Sequence, residues 1–170
     1  MSDKKWTLSP SGQKVLKPIH SLFAKIFGIG LIVLLVLMIG RLGDEGVSRQ
    51  AGDPALYYVL WYAVNLGLVG VVVTGLVYAL CTPWGFFRHR WIVVKWAGLA
   101  AILAVLIFGL APAVGEMTVT TDAGLHPGLF AGEYRSAARQ GVVYCVVEIV
   151  LVIALSLVSV FKPGGESKKQ

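Results

Sequence analysis

Charge is scarce in this 170-residue chain. Asp, Glu, Lys and Arg together supply 14% of it, about half the share found in soluble proteins. A water-soluble globule needs a polar coat, so that shortage excludes an ordinary soluble domain. Histidine is limited to three residues, cysteine to two, and asparagine to Asn65 alone. Walker-type glycine loops, HExxH and GxSxG are all missing, which leaves phosphate-cradling, zinc-protease and serine-hydrolase chemistry without an anchor. The sequence therefore reads as non-enzymatic.

What fills the chain is apolar. Hydrophobic residues make up 56%, and the mean hydropathy is +0.76. Four runs concentrate them: 26–40 (reaching back to Leu22), 55–80, 91–114 and 141–161. At 1.5 Å per residue, roughly 20 residues cross a hydrocarbon core of about 30 Å. The first run is short unless Lys25 snorkels to the headgroups. A secretory signal is the competing reading for it, but "GRLGDEG" follows in place of a small-x-small cleavage site. The expected fold is all-α: one antiparallel four-helix transmembrane bundle over 20–161. A basic segment (1–19) precedes it, and a polar tail (162–170), expected to be disordered, follows.

Positive charge sets the expected orientation. Lys4, Lys5, Lys14, Lys17, Lys25, Arg88, Arg90, Lys95, Lys162, Lys168 and Lys169 fall at the termini and second connection. Only Arg41, Arg49, Arg135 and Arg139 fall in the first and third. The positive-inside rule then places both termini in the cytoplasm of a multi-pass protein of the cytoplasmic membrane. Between helices two and three, "CTPWGFFRHRWIVVKW" forms a short inner turn. Its Trp84, Trp91 and Trp96 suit the interfacial belt, and Arg88, Arg90 and Lys95 lie against anionic phospholipid. Nucleic acid could stack on such a mixture, but the membrane demands the same residues, so no nucleic-acid partner is expected.

The same stretch, with the closing "SVFKPGG" and the opening "LSPSGQKVLKPIHSLFAKIFGIG", resembles a family of small uncharacterised bacterial four-helix membrane proteins. More loosely it is similar to the membrane domain of copper-resistance D-type proteins, although rows of intramembrane His or Met are missing here. The resemblance implies the four-helix fold and a bacterial inner membrane. It implies no chemistry.

Two polar groups fall inside the spans: Glu148 in the fourth and Asn65 in the second. Their expected depths agree, about 10–15 Å below the outer boundary. At 100° per residue Gly141, Cys145, Glu148, Ser156 and Ser159 share an inward face. Tyr58, Tyr62 and Asn65 share another on the second helix. Opposite them runs a row of small residues, Ala63, Gly67, Gly70 and Thr74, that allows close approach. Two specialised faces predict a central second helix, with the small row available for association with a second copy or a larger complex. Glu148 is either a proton, cation or ligand site, or a neutral carboxyl hydrogen-bonded to Asn65, Tyr62 or Tyr144.

The remaining candidates are thin. Cys81 and Cys145 belong at opposite ends of the bundle, more than ~20 Å apart, too far for a disulfide. His20 and His89, both near the inner interface, could bind haem or a metal. His126, with Asp122 and Glu133 nearby in sequence, could bind a cation, although "HPG" reads first as a turn. No cofactor is expected. The function expected is a non-enzymatic association or scaffold module; the alternative is a small transporter or haem- or metal-binding protein using Glu148, or His20 and His89.

Overall fold

Ser9 and Pro10 start the first helix, α1 (Pro10–Leu42). Ser9 Oγ accepts the Gly12 N–H at 3.2 Å, and Pro10 takes the first helical position, where a missing N–H is no loss. The structure is a computed structural model and describes residues 8–42, 54–81, 89–122 and 131–161. Helix α2 spans Pro54–Cys81. Helix α3 runs through Arg90–Val105, Leu106–Leu110 and Ala111–Asp122, and α4 is Ala131–Phe161. All four are long and apolar enough to cross a membrane, as expected of a multi-pass membrane protein, and no strand occurs among the described residues. Trp84, Arg88, His126 and the polar tail lie outside the described residues.

The helices are longer than the apolar runs suggested. The 33 residues of α1 make one helix through Pro18, roughly 50 Å at 1.5 Å per residue. Residues 10–19 thus continue the first span as helix. Pro18 has no N–H to donate, which leaves the Lys14 carbonyl without its intrahelical partner. At the other end α3 extends to Asp122 and α4 begins at Ala131. The connection expected over 115–140 shrinks to 123–130, and "EYRSAARQ" is the first part of α4.

Small residues fix how the helices meet. A methyl built on Gly30 would lie 2.9 Å from Ala63 Cβ, and one on Gly67 would lie 2.6 Å from the backbone nitrogen of Phe27. Gly70 faces the Phe23 ring, and Thr74 meets His20. These pairs run antiparallel and zip α2 onto α1. The row Ala63, Gly67, Gly70 and Thr74 is therefore occupied within the chain and is not open to a second copy. Gly141 takes Met38 of α1, and Gly109 takes the Tyr144 ring; a Cβ on either glycine would lie only 2.7 Å from that neighbour.

The order of packing corrects one expectation. Helices α1 and α4 form the central pair, α2 leans on α1, and α3 leans on α4, while α2 and α3 share no extended contact. Helix α2 is peripheral because its aromatic face turns outward: Tyr58 and Tyr62 are 57% and 69% exposed. Ideal periodicity placed that face correctly opposite the small-residue row, but among the described residues no helix packs on it. Leu56, Leu60, Val64 and Leu68 are the buried column, and steps of four drift by about 40° each on an ideal α-helix. A π-helical stretch at Val59–Asn65, with wider i→i+5 turns, holds the column in line. Helix α3 does the same for Ile102, Leu106 and Leu110 through its π stretch at Leu106–Leu110.

Core side chains gather toward the end remote from the termini. Leu34, Met38, Leu56, Leu110, Val114 and Met117 are all fully buried there, with Tyr134, Ala137 and Ala138 of α4 beside them. The outer surface is apolar as well, with Leu22, Ile29, Val36, Phe108 and Val150 exposed. That is the reverse of a water-soluble bundle.

Two glycines test this packing against each other. Gly67→Ala must push α1 from α2 at a backbone atom and should destabilise by about 1–3 kcal/mol. Gly28 has open space where its Cβ would be, so Gly28→Ala should be neutral or stabilise by up to about 1 kcal/mol. Thermal unfolding in detergent reads both; equal effects would contradict the α1–α2 interface.

Candidate functional site

Because α2 and α3 stay apart, a space opens between them at the end bearing residues 8, 81, 89 and 161. It is a cavity of about 700 Å³ walled by all four helices. Volumes of about 300–1,000 Å³ are usual for small-molecule sites. Its depth is apolar: Phe27, Leu68, Val72, Leu99, Ile102 and Val152. Its mouth carries Gln13, Lys14, Lys17, Tyr78, Trp91, Lys95 and Trp96, and Ser156 and Ser159 line one wall. No Asp or Glu belongs to the described lining, so its formal charges are all lysine.

Each helix contributes a face that grades from polar to apolar. On α1 the residues are Lys14, Lys17, His20, Ala24 and Phe27, spaced three or four apart as one helical stripe demands. On α3 the corresponding stripe is Trp91, Lys95, Leu99 and Ile102. Lys95 Nζ sits 5.4 Å from the Trp91 ring centroid, a cation–π distance. The hydroxyls of Ser156 and Ser159 donate to the Val152 and Leu155 carbonyls, each at 2.8 Å. Their oxygens keep acceptor capacity toward the cavity. At the rim, the Leu8 N–H donates to the Cys81 carbonyl at 2.7 Å, tying the start of α1 to the last turn of α2.

His20 is held on the wall in one orientation. The single hydroxyl proton of Thr74 goes to the Gly70 carbonyl at 2.6 Å. The 2.6 Å contact between His20 Nδ1 and Thr74 Oγ1 is then donated by the histidine. Nε2 is left as the second ring nitrogen, and the Tyr78 ring packs edge-on to the imidazole. His89, by contrast, stacks on Trp91 with rings 18° apart. The two histidines proposed as one haem or metal site are thus engaged by different partners. No group of three His, Cys, Asp or Glu side chains occurs among the described residues.

Of the aromatic-basic turn, Trp91 is buried at the cavity mouth, Lys95 and Trp96 are half-buried beside it, and Arg90 is exposed. Trp91 and Trp96, expected at the interface as anchors, line the mouth of the cavity. Lys14 and Lys17 were read only as topology charges. The three-residue spacing of Lys14, Lys17 and His20 was the available signal.

Glu148 is the second candidate. It is fully buried in α4, as its face predicted, and Gly141 and Cys145 are buried with it. Cys145 Sγ lies 3.9 Å from Met38 Sδ, and both cysteines are free thiols. The expected hydrogen bonds do not form: neither carboxyl oxygen has a partner among the described residues. Tyr62 points outward, Asn65 is half-buried on a helix that packs on α1, and Tyr144 covers Gly109 of α3. Burying a polar group without a hydrogen-bond partner is costly, so the carboxyl is an unsatisfied group among the described residues. The Gly109–Tyr144 and Gly141–Met38 pairs set its height. Glu148 stands level with the start of the π stretch of α3 and, across Leu31 of α1, with that of α2.

A methionine of similar length should relieve this orphan group. Glu148→Met is expected to leave thermal stability in detergent unchanged or to raise it by about 1–3 kcal/mol. A loss of that size would show that the carboxyl holds a bound proton donor, cation or water essential to the fold.

Among protein families, curated proteins and solved structures, none matches this chain.

Proposed function

We propose that the chain is a non-enzymatic multi-pass protein of a bacterial cytoplasmic membrane, with both termini in the cytoplasm, that works as a binding module for an amphiphilic ligand. The cavity between α2 and α3 carries this reading. Its depth accepts a hydrocarbon chain and its mouth offers lysines, a histidine, serines and indole rings to a polar head. The positive-inside distribution of Lys and Arg supports placing that mouth on the cytoplasmic side. Association with a second copy or a larger complex would use the outward strip of Tyr58, Trp61 and Tyr62, since the small-residue row is engaged inside the chain.

A small transporter working through Glu148 is the second reading. It draws on the buried, unpartnered carboxyl and on the two π stretches at its level, since such stretches recur at functional sites.

Two measurements test the first reading. Cysteines at positions 50 and 124 should react with an impermeant thiol reagent from outside, and those at 89 and 167 only after permeabilisation; the reverse pattern overturns the orientation. A neutral pyrene-tagged alkyl probe should bind the purified protein saturably at one per chain. Leu99→Trp, which fills the cavity, should weaken that binding by tenfold or more, about 1.4 kcal/mol. Non-saturable partition unchanged by Leu99→Trp would remove the cavity as a ligand site.

A further inference from the structure

We propose that the cavity takes one anionic phospholipid, with an acyl chain between α2 and α3 and its acidic head group held by Lys14, Lys17 and Lys95. This rests on the reading of the cavity as an amphiphile site and names what the site selects. Three features carry it.

The first is charge. Every formally charged residue in the described lining is a lysine, and all three lie at the mouth. An anionic head group neutralises them; a zwitterionic one brings its own cation into the same cluster. Basic pockets between transmembrane helices recognise anionic head groups on this principle, and each lysine near such a lipid favours it by about fivefold.

The second is the geometry of donors. Lys14 and Lys17 are exposed on the first turns of α1, where their ammoniums are free to follow a phosphate. Lys95 comes from α3 and is steadied by the Trp91 ring. The head group is therefore gripped from both sides of the gap.

The third is the depth. Below Lys14 and Lys17 come His20, Gly75 and Ser159, then Ala24 and Ser156, and then only carbon: Phe27, Leu68, Leu99, Ile102 and Val152. A water-soluble phosphate would leave that lower part unfilled, whereas an acyl chain fills it. Gly75 faces open space, with His20 Cε1 the single atom near its missing Cβ, at 3.9 Å. A leucine there would enter the cavity without striking backbone.

The test uses the full-length protein, stripped of lipid in a neutral detergent. It is titrated with phosphatidylglycerol or with phosphatidylcholine of the same chains, and bound lipid is counted by native mass spectrometry. Thermal unfolding of each variant confirms that it is folded. Phosphatidylglycerol should bind one per chain and at least about tenfold more tightly than phosphatidylcholine. Lys14→Gln, Lys17→Gln and Lys95→Gln together should reduce that preference to about twofold or less. Arg90→Gln, exposed and outside the lining, should preserve it. Gly75→Leu should weaken both lipids, and millimolar inorganic phosphate should displace neither.

Equal binding of the two lipids, with Gly75→Leu still expelling both, would overturn the head-group selection and leave the amphiphile site standing. Preference that survives the triple lysine change but disappears in Arg90→Gln would overturn it too, by placing recognition on the turn. Displacement by phosphate alone would reduce the site to a free-anion pocket. Binding of both lipids untouched by Gly75→Leu would remove the amphiphile site itself.

Discussion

A polypeptide in hydrocarbon must satisfy its own backbone, and once it has done so by coiling into helices, little hydrophobic force remains to bring those helices together. How closely two backbones can approach then decides which helices pair. Here the decisive approach is Gly67 against the backbone of Phe27, continued by Gly30 with Ala63 and by Gly70 with Phe23. It commits α2 to α1. With α1 also bound to α4, and α4 to α3, the helices form a chain of pairs that never closes between α2 and α3. The cavity is the consequence of that open side.

The two ends of the bundle answer this constraint differently. Away from the termini, Leu56, Met38, Val114, Met117 and Tyr134 close the packing. At the opposite end, lysines and tryptophans line the space that α2 and α3 leave open. Side-chain hydroxyls satisfy themselves along their own helices, as Thr74, Ser156 and Ser159 do, which keeps polar groups affordable on a cavity wall. His20 is the exception, since its ring is locked by Thr74 of the neighbouring helix.

Much of this was legible in the sequence, and the failures have a common cause. Hydropathy and length located four helices because the solvent acts on every residue of a span. The inward face of α4 was found from Gly141, Cys145 and Glu148, which keep ideal spacing. Helix α2 was misread because two specialised faces were taken to mean two packed sides; the small-residue face packs on α1, while the opposite face of Tyr58 and Tyr62 is left outward. The small-residue row was recognised, but a sequence does not say whether such a row meets its own chain or another. Trp91 and Trp96 were assigned to the interfacial belt because amphipathic rings suit it; a cavity mouth at that same height suits them equally. Glu148 was located correctly and its partner was not, because Asn65 and Glu148 share a depth but lie on helices separated by α1.

The separation of α2 from α3 is the claim on which the rest stands, and cysteine cross-linking in a background lacking Cys81 and Cys145 measures it directly. A disulfide needs Cα atoms within about 7 Å. Gly30→Cys with Ala63→Cys, across the tight α1–α2 contact, should form one readily under mild oxidation. Val72→Cys with Leu99→Cys, on α2 and α3 across the cavity, should form none and should be joined only by a longer bifunctional reagent. Rapid disulfide formation between positions 72 and 99 would mean that the two helices meet, and would contradict the account.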